Sequence, residues 1–302
     1  MQIYLPIAEM SVDAFLLVGV GLLVGWLSGL FGVGGGFLLT PLLLLLGIPA
    51  PVAVASGANQ VLGASTSGMI AQARRNNVDW TMGVVLVLGG LAGSALGISF
   101  FAWLKGAGLV DAAVSLFYVI VLGTLGVLMV MESARAIRRR HRRAPPRRLH
   151  EHFWMHGLPF KLRFRKSRLF ISVIPPLLVG GGVGLLSSIM GVGGGFMLVP
   201  AMIYLLGMPT AVVIGTSLFH VVCIAAAVTI MAAWQLGTVD IVLTLLLLAG
   251  GVAGAQFGAQ MGSRLRGEET RFLLGALVLA VAAMLLWRLT TPPDQLFTLA
   301  RG

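Results

Sequence analysis

Two short polar clusters interrupt an otherwise apolar chain, and each follows a run of glycines. Ser56, Asn59 and Gln60 share one helical face at spacings of three and four residues, as do Thr216 and His220, with Ser217 beside them. Hydroxyl and amide donors of this kind can replace part of the water shell of an anionic oxygen without adding a fixed charge. Upstream, Gly32-Val33-Gly34-Gly35-Gly36-Phe37 recurs as Gly191-Val192-Gly193-Gly194-Gly195-Phe196. Non-helical glycine backbone allows close approach of a ligand, and the free N–H groups that open a following helix attract an anion. Gly34, Gly35 and Gly36, with Gly193, Gly194 and Gly195, therefore join the two polar clusters as candidate substrate-binding residues.

Each candidate also has a plainer reading. Buried Ser and Thr commonly bond to the preceding turn or to a neighbouring helix, and glycine runs let helices pack closely. Asn59 and Gln60 are costlier to bury without a ligand. His220 is the one histidine outside residues 132–168 and an ionisable group deep in an apolar segment, which marks it for binding or proton coupling. Its first-half counterpart, Gln60, cannot titrate.

The elements that position these residues follow from composition. The chain is 58% hydrophobic and 10% charged, against about 25% charged in soluble domains. Several apolar stretches exceed the roughly 18 residues that suit a membrane span. An all-α polytopic membrane protein of the cytoplasmic (inner) membrane is expected. Met1 to Val12 holds Glu9 but no Lys or Arg, so it lacks the charged start of a cleaved signal peptide. A single cysteine, Cys223, leaves no intrachain disulfide framework.

The net charge of +11 lies in one place: residues 132–168 hold 13 of the 21 Lys and Arg against Glu132 and Glu151. So basic a loop marks the cytoplasmic side. It divides the chain into a first transmembrane repeat (1–131), a basic loop (132–168) and a second transmembrane repeat (169–302). Gly34 and Pro41 match Gly193 and Pro200 at an offset of 159 residues, Ser56 matches Thr216 at 160, and Asp79, Gly90, Gly93 and Gly97 match Asp240, Gly251, Gly254 and Gly258 at 161.

Five apolar segments are expected per half, about 12–31, 36–46, 51–73, 81–104 and 110–131, then 169–190, 195–206, 210–234, 240–262 and 271–289. An odd number inverts the second half. With both termini outside, Arg74, Arg75, the basic loop, Arg264, Arg266 and Arg271 all fall inside. The reading is about ten crossings in two inverted repeats, a common transporter plan. Segments 36–46 and 195–206 are too short to cross as helices, about 16 Å for the first. Extended glycine runs, entering from opposite faces, would complete each crossing and aim two half-helix N-termini at one central anion.

The stretches Gly-Leu-Phe-Gly-Val-Gly-Gly-Gly-Phe (29–37), Ile-Met-Gly-Val-Gly-Gly-Gly-Phe-Met-Leu-Val-Pro (189–200) and Gly-Thr-Ser-Leu-Phe-His (215–220) resemble the repeated motifs of the TauE/SafE sulfite exporter family. The likeness covers both halves and leaves out the basic loop. It implies transport of small sulfur-containing anions, sulfite or organosulfonates such as sulfoacetate; export by alternating access between the inverted halves is the expected mode. Protons or sodium are the candidate coupling ions.

The remaining features are assigned to structure or surface. Asp79 and Asp240 each open an apolar segment and read as helix N-caps. His150, His152 and His156 could ligate a metal only with further ligands that the loop lacks, so no metal and no cofactor is expected. Phe153, Trp154, Met155, Phe160, Leu162 and Phe164 interleave with Arg and Lys, which suits anionic lipid headgroups better than nucleic acid. A passive anion channel is the nearest alternative. An intramembrane hydrolase built on Ser217 and His220 is a remote one, because no third group orients the base; an enzyme is not expected.

Overall fold

The computed structural model describes residues 2–31, 36–141, 160–164, 166–167, 169–262 and 267–290. Among these, a small antiparallel hairpin precedes each set of five helices, β1 (Gln2–Leu5) with β2 (Met10–Asp13) and β3 (Lys161–Phe164), in the basic loop, with β4 (Leu169–Ser172). The first hairpin leads into α1 (Ala14–Phe31), α2 (Gly36–Leu45), α3 (Ala50–Arg74), α4 (Trp80–Gly106) and α5 (Val110–His141). The second leads into α6 (Ile174–Met190), α7 (Gly195–Tyr204), α8 (Thr210–Met231), α9 (Ile241–Gly262) and α10 (Gly267–Thr290), with a π-helical turn, Ala232–Leu236, closing α8. The described residues are thus all-α apart from two hairpins. Five stretches, Trp80–Gly106, Val110–Met131, Val212–Leu236, Ile241–Gly258 and Phe272–Thr290, are long and apolar enough to cross a membrane.

These helices correspond to the ten expected segments, with two differences. Residues 12–13 and 169–172 pair as strands before α1 and α6 begin. α5 continues ten residues past Met131 into the basic segment, because nothing from Glu132 to His141 breaks a helix.

Local chemistry explains the boundaries. Asp79 caps α4, its Oδ1 accepting from the Met82 N–H at 3.2 Å, and Asp240 does the same for α9 through the Leu243 N–H at 3.1 Å. Both carboxylates are helix caps, as their positions in the sequence suggest. Pro175 and Pro176 sit in the first turn of α6, where a missing N–H costs nothing. Pro41 and Pro200 lie inside α2 and α7 and remove a helical bond from each already short helix.

The helices pack in exchanged pairs, α1 on α9, α4 on α6, α5 on α10 and α3 on α8. In two of these pairs backbone meets backbone. A Cβ on Gly25 would lie 2.1 Å from the Gly251 carbonyl oxygen, and one on Gly184 would lie 2.1 Å from that of Gly90. The same close approach recurs along the seams, at Gly21, Gly250, Gly254 and Gly258 in one and Gly89, Gly93, Gly97 and Gly180 in the other. Only a residue without a side chain fits there. Outward faces carry exposed Leu96, Leu128, Leu178, Ile241 and Trp287, as an apolar solvent requires.

Each hairpin hooks onto an aspartate of the other half. In the loop between β3 and β4, the Ser167 N–H and hydroxyl donate to Asp79 Oδ2 at 3.0 and 2.7 Å. In the loop between β1 and β2, the Ile7 N–H donates to Asp240 Oδ2 at 3.2 Å. Phe164 is fully buried beneath the second hairpin, whereas Phe160, Leu162 and Phe170 stay exposed.

Candidate functional site

α2 and α7 each have ten residues, about 15 Å at 1.5 Å per residue, half of a hydrocarbon core. Their N-termini come together. The Phe37 and Phe196 rings, one residue into each helix, lie 5.5 Å apart, and a Cβ on Gly36 would sit 3.1 Å from the Val192 carbonyl oxygen. Gly34 and Gly35 lie outside the described residues. Gly36 opens α2, buried against Val61 of α3.

The second glycine run is a break in the helix but not an extended one. Gly191, Gly193 and Gly194 have φ of 68°, 69° and 74°, a left-handed conformation that other residues rarely adopt. Gly191 ends α6 as a left-handed cap, its N–H donating to the Ser187 carbonyl at 2.7 Å. The expected extended run is therefore replaced here by a compact turn. Its cause is packing: a Cβ on Gly191 would lie 2.1 Å from the Val54 carbonyl oxygen and one on Gly193 2.4 Å from Val61 Cγ1, so α3 leaves the run no room to lengthen. The Tyr118 hydroxyl donates to the Met190 carbonyl and fixes the end of α6 just before the turn.

α3 and α8 pack beside this turn and carry the two polar clusters. Their contact holds a small apolar group, Val61, Val221 and Ala225. Gln60 is 3% exposed and His220 fully buried. Gln60 stands on Gly251 of α9, where a Cβ would lie 2.6 Å from its Nε2. His220 stands on Gly90 of α4, where a Cβ would lie 2.6 Å from its Nε2. The two glycines match in the repeat, and so do the two side chains.

Most of their polar atoms lack partners among the described residues. Gln60 Oε1, both ring nitrogens of His220 and Ser56 Oγ are buried and make no well-formed hydrogen bond, although the Leu86 carbonyl lies within reach of the His220 ring. Buried polar atoms of this kind are rare and call for a ligand or another partner. The other candidates are engaged in local structure. Asn59 Nδ2 donates to the Ala55 carbonyl at 3.1 Å, and Ser217 Oγ to the Ile214 carbonyl at 3.0 Å. Thr216 Oγ1 accepts from the Asp79 N–H at 3.0 Å, tying α8 to the start of α4.

Two further serines that the spacing of the clusters did not reveal are buried at matching positions of the two halves. Ser28 and Ser187 lie on α1 and α6 at an offset of 159 residues, both buried, and Ser187 Oγ has no partner. A serine on an apolar helix normally bonds back to its own turn, so nothing in the sequence sets these apart. Among the described residues no cluster of His, Cys, Asp and Glu could hold a metal ion; His150, His152 and His156 lie outside them, as do Phe153, Trp154 and Met155.

The family described as sulfite exporter TauE/SafE matches residues 17–285. A probable membrane transporter protein of Xylella fastidiosa strain Temecula1 is 30% identical over 275 residues, covering 90% of this chain and 94% of its own. The probable membrane transporter protein YjnA of Bacillus subtilis is 28% identical, with 89% and 97% covered. A relative with the same description in Methanocaldococcus jannaschii is 23% identical, with 87% and 91% covered. No solved structure matches the chain. Broken helices, glycine seams and apolar outer faces are thus features of an integral membrane transporter, and the chain belongs to the sulfite exporter TauE/SafE family.

Proposed function

We propose that this protein is a secondary transporter that exports small sulfur-containing anions, sulfite or organosulfonates such as sulfoacetate, across the cytoplasmic membrane by alternating access. The observation that carries the reading is the set of buried, unpartnered atoms on Gln60 (Oε1) and His220 (both ring nitrogens), side chains that stand on equivalent glycines beside two half-helix N-termini. A site with amide, imidazole and hydroxyl groups and the positive ends of two helices suits an oxyanion that must be bound and then released. The exchanged helix pairs and the repeated hairpins support two inverted halves of five crossings, with both termini outside and the basic loop inside on anionic lipid. On this reading Gly34 to Gly36, Gly193 to Gly195, Ser56, Gln60 and His220 meet the substrate, and Asn59, Thr216 and Ser217 turn towards it during the cycle. Protons or sodium couple the step.

Proteoliposomes offered sulfite, sulfoacetate, taurine and sulfate, with and without a pH or sodium gradient, test the proposal. Saturable, gradient-dependent flux of a sulfur anion is expected, with at least a tenfold loss in Gln60→Ala and His220→Ala. Flux that never saturates would identify a channel. If no anion moves, and neither variant alters binding of any of them, the site reading is wrong.

A further inference from the structure

α6 ends in two adjacent serines with opposite fates. The Ser188 hydroxyl donates to the Gly184 and Ser94 carbonyls at 2.9 and 3.1 Å and is fully used in the α4–α6 seam. Ser187, equally buried at 1% exposure, has no partner for its Oγ. Position explains the difference. About 100° around the helix from Ser188, Ser187 lies three residues after Gly184 and four before Gly191. Gly184 packs on Gly90, the glycine on which His220 stands, and Gly191 packs on Val54 and Gly57 of α3. Ser187 therefore falls between the His220 contact and the left-handed turn that precedes α7.

The equivalent place in the first half repeats the arrangement. Ser28 lies three residues after Gly25, which packs on Gly251, and Gly251 is the glycine beneath Gln60. Each half thus sets a serine one turn from a glycine that packs against the one supporting its central polar side chain. An orphaned hydroxyl in so dry a place costs stability unless a ligand uses it.

Building on the substrate site proposed above, we infer that Ser187 donates its hydroxyl to an oxyanion of the transported ligand and is a specificity residue alongside His220. Its single O–H fits a sulfonyl-type oxygen and gives a halide of similar charge no second contact. The test uses the full chain in nanodiscs, with sodium sulfite and sulfoacetate as probes and isothermal calorimetry as readout. Ser187→Ala is expected to weaken the anion that binds by about tenfold, Ser187→Thr to restore it, and Ser188→Ala to leave affinity at the wild-type value while lowering thermal stability. If Ser187→Ala does not fold, the near-isosteric Ser187→Cys gives the same answer. Wild-type affinity in the Ser187 variants, with Gln60→Ala and His220→Ala impaired, overturns the inference and leaves the site standing. Wild-type affinity in all of them overturns both.

Discussion

Replacing Asp79 by alanine should unfold this protein far more readily than the matching change at Asp240. Asp79 accepts three hydrogen bonds, from the Met82 N–H and from the Ser167 N–H and hydroxyl, and is 3% exposed. Loss of an N-cap costs about 1 kcal/mol. Leaving the two buried Ser167 donors without their carboxylate adds about 1–3 kcal/mol each. The total is about 3–7 kcal/mol. Asp240 caps α9 in the same way but receives only the Ile7 N–H from its hairpin, so its loss should cost about 2–4 kcal/mol. Equilibrium unfolding of the purified chain in mixed detergent micelles would measure both. Ser167→Ala should cost about 1–2 kcal/mol alone and almost nothing in the Asp79→Ala background, since the partner is already gone. Equal losses at Asp79 and Asp240, or full additivity of Asp79→Ala with Ser167→Ala, would refute the claim that the second hairpin is held through this carboxylate.

Other perturbations read the glycine contacts. Gly93→Ala places a Cβ 1.9 Å from the Gly181 carbonyl oxygen and should cost more than about 2 kcal/mol in the same assay, whereas Gly123→Ala, with nothing within 4 Å, should be neutral within about 1 kcal/mol. Gly194→Ala combines φ of 74° with a 2.2 Å approach to Val183 Cγ1 and should lower the thermal midpoint and abolish flux together. Tyr118→Phe removes the donor to the Met190 carbonyl and should cost about 1–2 kcal/mol, read by the same unfolding curve.

Much of the helical plan was legible in the sequence, because a membrane helix advertises itself by length, apolarity and flanking charge. Asp79 and Asp240 were readable as caps for a similar reason: a carboxylate just before an apolar run has few other uses. The hairpins were not. Four-residue strands carry too little alternation to register, and although Gln2–Asp13 and Lys161–Ser172 occupy equivalent places, Ile7 and Ala8 look nothing like Lys166 and Ser167. The glycine run announced a break but not its shape, since glycine accepts both extended and left-handed backbone and the choice was made by Val54 and Val61 from another helix. Thr216 was legible as a polar residue on a helix face; its partner, the Asp79 N–H, lies 137 residues away and could not be inferred from spacing.

The glycine seams have a mechanical consequence. Where a carbonyl rests directly on a Cα, as at Gly25 on Gly251 and Gly184 on Gly90, no side chain lies between to rotate, compress or exchange one packing for another. Each seam behaves as a keyed joint, and α1 with α9, or α4 with α6, travels as one beam. Freedom to move is left to joints filled by deformable groups, above all the Val61, Val221 and Ala225 contact between α3 and α8. Gln60 and His220 project from those two helices onto the two beams, so any rocking between beam and helix is felt first at the polar side chains.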